Sequence, residues 1–141
     1  DVSRQIGRPE MATASFDIPA ADRVFLADNL VRLPGDDVVN YPVTVDLNGA
    51  VAIRARGPGQ PTAVELVLSH ASRHGEPVRV NTNRQYLGRA VKLGFDRVHV
   101  FSPRSPVLAC DENRKYVWAL LDPDSALKPE QNTVRVESAV A

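Results

Sequence analysis

Residues 78–101 read VRVNTNRQYLGRAVKLGFDRVHVF. The run "PVRVN" alternates like a short strand. "TNRQYLGRAVKLG" carries helical periodicity, with Asn81 or Thr82 as the expected N-cap and Gly94 as the stop. "DRVHVFS" (96–102) alternates again, Val98 and Val100 against Arg97 and His99. Wound as a helix, residues 82–93 gather Tyr86, Leu87, Ala90 and Val91 on one side. Arg84, Gln85, Gly88, Arg89 and Lys92 fall on another, a face with three cations and no anion. Such a face suits either solvent or sequence-independent contact with phosphates.

The flanks repeat the pattern. "ATASFDIP" (12–19) predicts a strand ended by Pro19, and "AADRVFLADNLVRL" (20–33) a helix with Leu26, Leu30 and Leu33 on its apolar side. After the "PGDD" turn (34–37), "VVNYPVTVDL" and "AVAIRAR" flank Asn48-Gly49, which predicts a hairpin closed by a two-residue type I′ turn. "TAVELVLSHA" (62–71) is a further strand and "SRHGEP" (72–77) its end. Beyond the 78–101 unit, "PVLACD" and "KYVWALL" predict two strands around the "DENR" turn. Residues 12–71 and 77–121 therefore share one order: strand, helix, strand, strand, strand. The expected fold class is α+β, two βαβββ repeats with both helices on one face of antiparallel sheets.

With 141 residues and 43% of them hydrophobic, the chain can bury one core. Its formal net charge is zero, so nothing global points to nucleic acid or membrane. No apolar run approaches a membrane span, and "DVSRQIGRPEM" has no signal-peptide apolar region. The chain does not begin with Met, which suggests a piece of something longer. Cys110 is the only cysteine, so an internal disulfide is excluded and a cytoplasmic setting is expected.

Catalytic constellations are missing. His70 and His74 stand four apart, but at a strand end and turn, where that spacing does not build a metal site. His99 reads as a cross-strand polar partner and Cys110 as a buried structural thiol. Ser102 and Ser105 flank prolines in a turn. Asp36-Asp37 and Asp111-Glu112 fall in turns, where acid–base work lacks the burial it needs. "RGPGQP" lacks the lysine and following helix of a phosphate loop. Trp118 reads as core or interface. No catalytic residue, metal or cofactor is expected.

The order, spacing and several local strings resemble a domain of the bacterial DNA polymerase sliding clamp, the beta subunit, and most closely its C-terminal domain. The resemblance covers residues 12–123. It is carried by "SFDIPAADRVFLADNL", by "VTVDLNGAVAIRA", by the 78–101 unit through Val78, Val80, Asn81, Tyr86, Leu87 and Ala90, and by "KYVWALLDP". It implies a non-enzymatic, nucleoid-associated processivity factor. Six such domains would surround duplex DNA with helices lining the hole. It further implies Arg84, Arg89 and Lys92, with Arg23 and Arg32 of the first helix, as DNA-binding residues. Homo-oligomers or further clamp domains would complete the ring, and DNA polymerase or other clamp-binding peptides would be tethered to it.

Two departures stand out. Asp22 and Asp28 offset Arg23 and Arg32, so the first helix has a mixed face. The family's apolar end, commonly Met-Pro-Met, is replaced by "ALLDP", leaving Leu120, Leu121 and Pro123 as the partner-binding candidates. The sequence divides into a leader (1–11), the clamp-like domain (12–123) and a tail (124–141). The tail reads equally as disordered, as an added strand ("TVRVESAV" alternates) or as a cover over the pocket. The alternative functions are a clamp-like interaction domain without DNA encirclement, and a small enzyme or ligand-binding protein of unrelated α+β fold.

Overall fold

The computed structural model describes residues 8–35 and 37–138. Residues 1–7 of the expected leader, Asp36 of the expected turn and 139–141 of the tail lie outside the described residues. The first half runs β1 (Ala14–Asp17), α1 (Ala20–Leu30), β2 (Pro42–Asp46), β3 (Val51–Ala55) and β4 (Val64–Leu68). After β5 (Ser72–Gly75), the second half repeats the order as β6 (Arg79–Asn83), α2 (Arg84–Lys92), β7 (Arg97–Val100), β8 (Val107–Cys110) and β9 (Lys115–Trp118). A last strand, β10 (Val134–Glu137), follows.

The halves exchange their first strands. One five-stranded sheet has the order β5-β1-β7-β8-β9, the other β10-β4-β3-β2-β6. Thus β1 completes the second half's meander, with Phe16 opposite Val98, and β6 completes the first, with Val80 opposite Val45. The exchange locks the halves into one core, in which Phe16, Leu26, Leu30, Ile53, Leu66, Leu87 and Val100 are all buried. The helices pack on each other from one side; α1 meets β4 and α2 meets β6. All strand pairs are antiparallel except β10 with β4, which is parallel.

Four local expectations are corrected. Asn83, not Asn81 or Thr82, caps α2: its side chain accepts from the Gln85 amide at 2.8 Å, while Asn81 and Thr82 are buried in β6. The hairpin at Asn48-Gly49 is present without a type I′ turn. Gly49 is not among the positive-φ residues, and Asp46 Oδ1 instead accepts from the Asn48 amide at 2.9 Å, folding the loop as an Asx turn. "SRHG" is a strand rather than an end. Its last residue, Gly75 (φ +87), lies against β1, where an added Cβ would sit 2.2 Å from the Thr13 carbonyl oxygen. Finally, Asp22 is fully buried rather than on the mixed face of α1. It accepts from the His70 amide and meets His70 Nδ1, both at 2.9 Å. Burial raises the Asp22 pKa, but its bonds to His70 and Ser138 bring it below the usual carboxylate value.

The segment after β9 covers the outer face of the second sheet. Leu121 donates to the Asn81 carbonyl at 2.9 Å, and Leu127 donates to Thr44 Oγ1 at 2.9 Å. Beneath it an ion ladder crosses all five strands: Arg79 (β6), Asp46 (β2), Arg54 (β3), Glu65 (β4) and Arg135 (β10). Arg54, Asp46 and Glu65 are buried, and each charge meets at least one of opposite sign, which is what allows charges to sit in the interior. Burial would raise the Asp46 pKa, but hydrogen bonds from Arg54, Asn48 and Arg79 lower it to about 2. No helix among the described residues is long and apolar enough to cross a membrane.

Candidate nucleic-acid interface

The helix pair presents one outward surface. Asn83 starts α2 one residue before Arg84, and Gly94 (φ +90) ends it with its amide bonded to the Val91 carbonyl at 3.0 Å. Leu87, Ala90 and Val91 face the core. Gln85, Arg89 and Lys92 are exposed on the opposite side, where Arg89 stands 5.8 Å from the centre of the Tyr86 ring. The helix has no acidic residue in its first turn, and Arg89 and Lys92 fall in its last.

Arg84 does not belong to that surface. It is 7% exposed, and its guanidinium is consumed by backbone carbonyls. Nη1 donates to Leu33 (2.6 Å), Nη2 to Pro34 (2.8 Å) and Nε to Tyr41 (3.3 Å). These bonds close the C-terminal end of α1 and the loop after it, where carbonyls have no helical partner. Helical periodicity placed Arg84 beside Arg89 and Lys92, but as the first residue of α2 it reaches sideways to α1. Its charge reversal is therefore not the tolerated surface change that an exposed face implies.

Of the two first-helix candidates, Arg23 is in α1 but half-buried, donating to the Ile18 carbonyl at 2.7 Å, whereas Arg32 is exposed and lies beyond α1, which ends at Leu30 rather than running to residue 33. Among the described residues, no carboxylate lies within ion-pair distance of Arg32, Arg89 or Lys92. Between the helices runs a groove of about 560 Å³ lined by Leu30, Leu33, Tyr41, Arg89 and Lys92, among others. Gly88 thins its wall, since an added Cβ would meet only Leu30 Cδ1, at 3.6 Å. Val24 on α1 is exposed, as are Val31 and Leu93, the residues that follow the ends of α1 and α2, so this surface mixes apolar and cationic side chains.

The partner-binding candidates separate. Leu120 packs against the core, Leu121 lines a cavity of about 400 Å³ with Asn40, Asn81, Ser125 and Leu127, and Pro123 opens a 3-10 turn, Pro123–Ser125. Trp118 is core, donating from Nε1 to Thr82 Oγ1 at 2.8 Å. Cys110 is only half-buried at the end of β8; burial pushes its thiol pKa up, away from a reactive thiolate. His99 is buried, and burial, then Arg97, lowers its pKa. His70 and His74 bind different carboxylates, Asp22 and Asp17. Among the described residues there is no group of three or more metal-ligating side chains. The sequence reading missed the ion ladder, whose alternate-position charges in β2, β3 and β4 resemble an ordinary solvated strand face.

Two sheets that exchange their first strands, with two helices paired on one side, define a domain of the DNA sliding-clamp fold. The chain is similar to the beta sliding clamp of C. crescentus (TM-score 0.65, 20% identity, covering 86% of this chain and 33% of that one). It is similar also to the DNA polymerase sliding clamp of Bacillus subtilis (TM-score 0.66, 15% identity, 86% and 33%) and to the DNA polymerase III beta subunit of Thermotoga maritima (TM-score 0.63, 15% identity, 86% and 34%). The chain thus spans about a third of the length of these structures, one domain of each. No protein-family model and no curated protein matches the sequence.

Proposed function

We propose that this chain is a non-enzymatic clamp-type domain that lies against duplex DNA through its helix pair, as part of a ring completed by further clamp domains or copies of itself. The observation that carries the reading is the exposed set Arg89, Lys92 and Arg32, without carboxylate partners among the described residues, on the helical side of a clamp fold. Contacts from such side chains to phosphates carry no base information, which suits a protein that must move along DNA. Arg23, half-buried and bonded to the Ile18 carbonyl, is a secondary contact in this reading, while Arg84 acts from beneath by tying α2 to the end of α1. Leu121 and its cavity are the place where a clamp-binding peptide of a polymerase or repair protein would dock.

The test is duplex binding measured across salt with several unrelated sequences. Three phosphate contacts give a log–log slope of about −2.7, independent of sequence. Binding that varies strongly with sequence, or not at all with salt, contradicts the reading. A second reading, an interaction domain without DNA, is favoured by one observation: exposed Val24 on α1, with Val31 and Leu93 just past the helix ends and the groove beside them. A protein that ignores DNA under all salt conditions would leave that reading ahead.

A further inference from the structure

The groove between the helices has two unlike parts. At its rim Arg89 and Lys92 stand in solvent, where a phosphate can reach them. Its floor is apolar: Leu30 and Leu33 are buried there, and Leu93, 48% exposed, lies at its open side. The charged backbone of a duplex gains nothing from such a floor. At about 560 Å³ the groove has the size of a small-molecule site, mostly apolar with a few polar groups that fix orientation. Gly88 keeps it open at the middle of α2. The nearest atom to an added Cβ is Leu30 Cδ1 at 3.6 Å, so a longer side chain there would occupy the groove itself.

One end of the groove holds a buried cation. Arg84 lines it, is 7% exposed, and among the described residues has no carboxylate within ion-pair distance. Buried charges are ordinarily paired. Backbone carbonyls take the N–H groups of Arg84 but do not neutralise it. The C-terminal end of α1 supplies only the equivalent of about half a negative charge. Burial accordingly lowers the Arg84 pKa. Three of its bonds are long, to Tyr41 and Pro42 at 3.3 Å and to Leu30 at 3.4 Å, so these donors can turn toward an anion. Gly35 leaves room beside the guanidinium, since an added Cβ would sit 3.1 Å from Nη2. From Arg84 to Lys92 the groove follows α2 for about 12 Å.

We propose that this groove binds a small amphiphile, an apolar chain with one anionic head. The head sits beside Arg84 at the Gly35 opening, and the chain runs over Leu30 and Gly88 toward Leu93. The choice of occupant follows from charge complementarity. A cation in a low-dielectric site attracts an anion far more strongly than a solvated one does. Arg89 and Lys92 flank the chain with their methylene stems and keep their charges in water. A second copy of this chain is a poor occupant, because two such faces bring like charges together. The proposal does not need the duplex-binding reading.

The experiment uses the full chain without DNA, so its outcome is separate from that of duplex binding. The probe is decanoate, held below its micelle concentration, with decanol as the neutral compound of the same chain length. Calorimetry gives the affinities, and amide NMR spectra of the wild type locate the site. Decanoate should bind about tenfold or more tightly than decanol. It should shift the amides of Gly35, Gly88 and Leu93. G88L fills the groove and gains helix propensity, so it should remain folded by circular dichroism and lose about tenfold or more in decanoate affinity. No decanoate binding, equal affinity for decanol, shifts confined elsewhere, or a folded G88L that binds as well as wild type each overturns the proposal. If instead an amphipathic peptide of Leu and Glu shifts those amides and decanoate does not, the occupant is a protein partner. Self-association abolished by G88L, without decanoate binding, would assign the groove to a second copy.

Discussion

The guanidinium of Arg84 reaches from the first turn of α2 to the carbonyl of Leu33, 2.6 Å away, just beyond the end of α1. With its bonds to Pro34 and Tyr41 it fixes the angle at which the two helices meet. Tyr41, the one non-glycine residue with positive φ (+39) among the described residues, also accepts the Arg84 amide at 2.8 Å. The strained backbone there is held by the same residue. Arg84→Ala should therefore cost about 3 kcal/mol or more, because several carbonyls lose their donor together. Arg89→Ala, at an exposed site, should stay within about 0.5 kcal/mol. Urea unfolding of the two variants separates them, and equal midpoints would contradict the structural role of Arg84.

Gly75 and Gly94 have similar φ angles, +87 and +90, and very different surroundings. A Cβ at Gly75 meets backbone at 2.2 Å, whereas at Gly94 the nearest atom is Arg114 Nη2 at 3.9 Å. G94A should cost about 1–2 kcal/mol, the strain of a left-handed conformation alone. G75A must in addition push β5 off β1, so its loss should be clearly larger. Thermal unfolding of both variants checks the order; a G75A protein as stable as G94A would mean that β5 is not docked on β1.

Asp46 gives the ion ladder a pH signature. Its carboxyl is held at about 2 in the folded protein, below the ordinary 3.8. A depressed folded pKa contributes stability above the unfolded pKa and loses it as pH falls through the folded one. The window is thus from about pH 4 down to about pH 2, and the difference is worth roughly 2 kcal/mol. Asp46→Asn should be less stable than wild type near neutrality, and its stability should fall less steeply through that window. Denaturant titrations at stepped pH measure both slopes; parallel curves would remove Asp46 from the account.

Much of this architecture was legible because it rests on periodicity and punctuation. The amphipathic pattern of Leu87, Ala90 and Val91, the Gly94 stop and the repeated element order all reflect local rules that tertiary packing did not override. What periodicity could not convey was direction and partner. Arg84 shares a helical stripe with Lys92, yet at the helix start it turns toward α1. Asp22 looked like a surface anion until its partner, His70, arrived from a segment 48 residues away. "SRHG" has the composition of a turn, and only its pairing with β1 makes it a strand. The β10 strand was one of three open readings of the tail, because alternation in "TVRVE" does not say which edge it will find.

The central claim is that exposed Arg89 and Lys92 of α2, with Arg32 in the turn after α1, and not the buried Arg84, meet DNA. The most direct measurement is binding of wild type and R32E/R89E/K92E to duplex DNA at low ionic strength and across a salt series, on circular DNA where a ring must be loaded. All three positions are exposed, so the variant should remain folded by circular dichroism. The account predicts salt-dependent binding by the wild type and its near-complete loss in the variant. Equal binding by a folded variant, or no binding by the wild type, would contradict it.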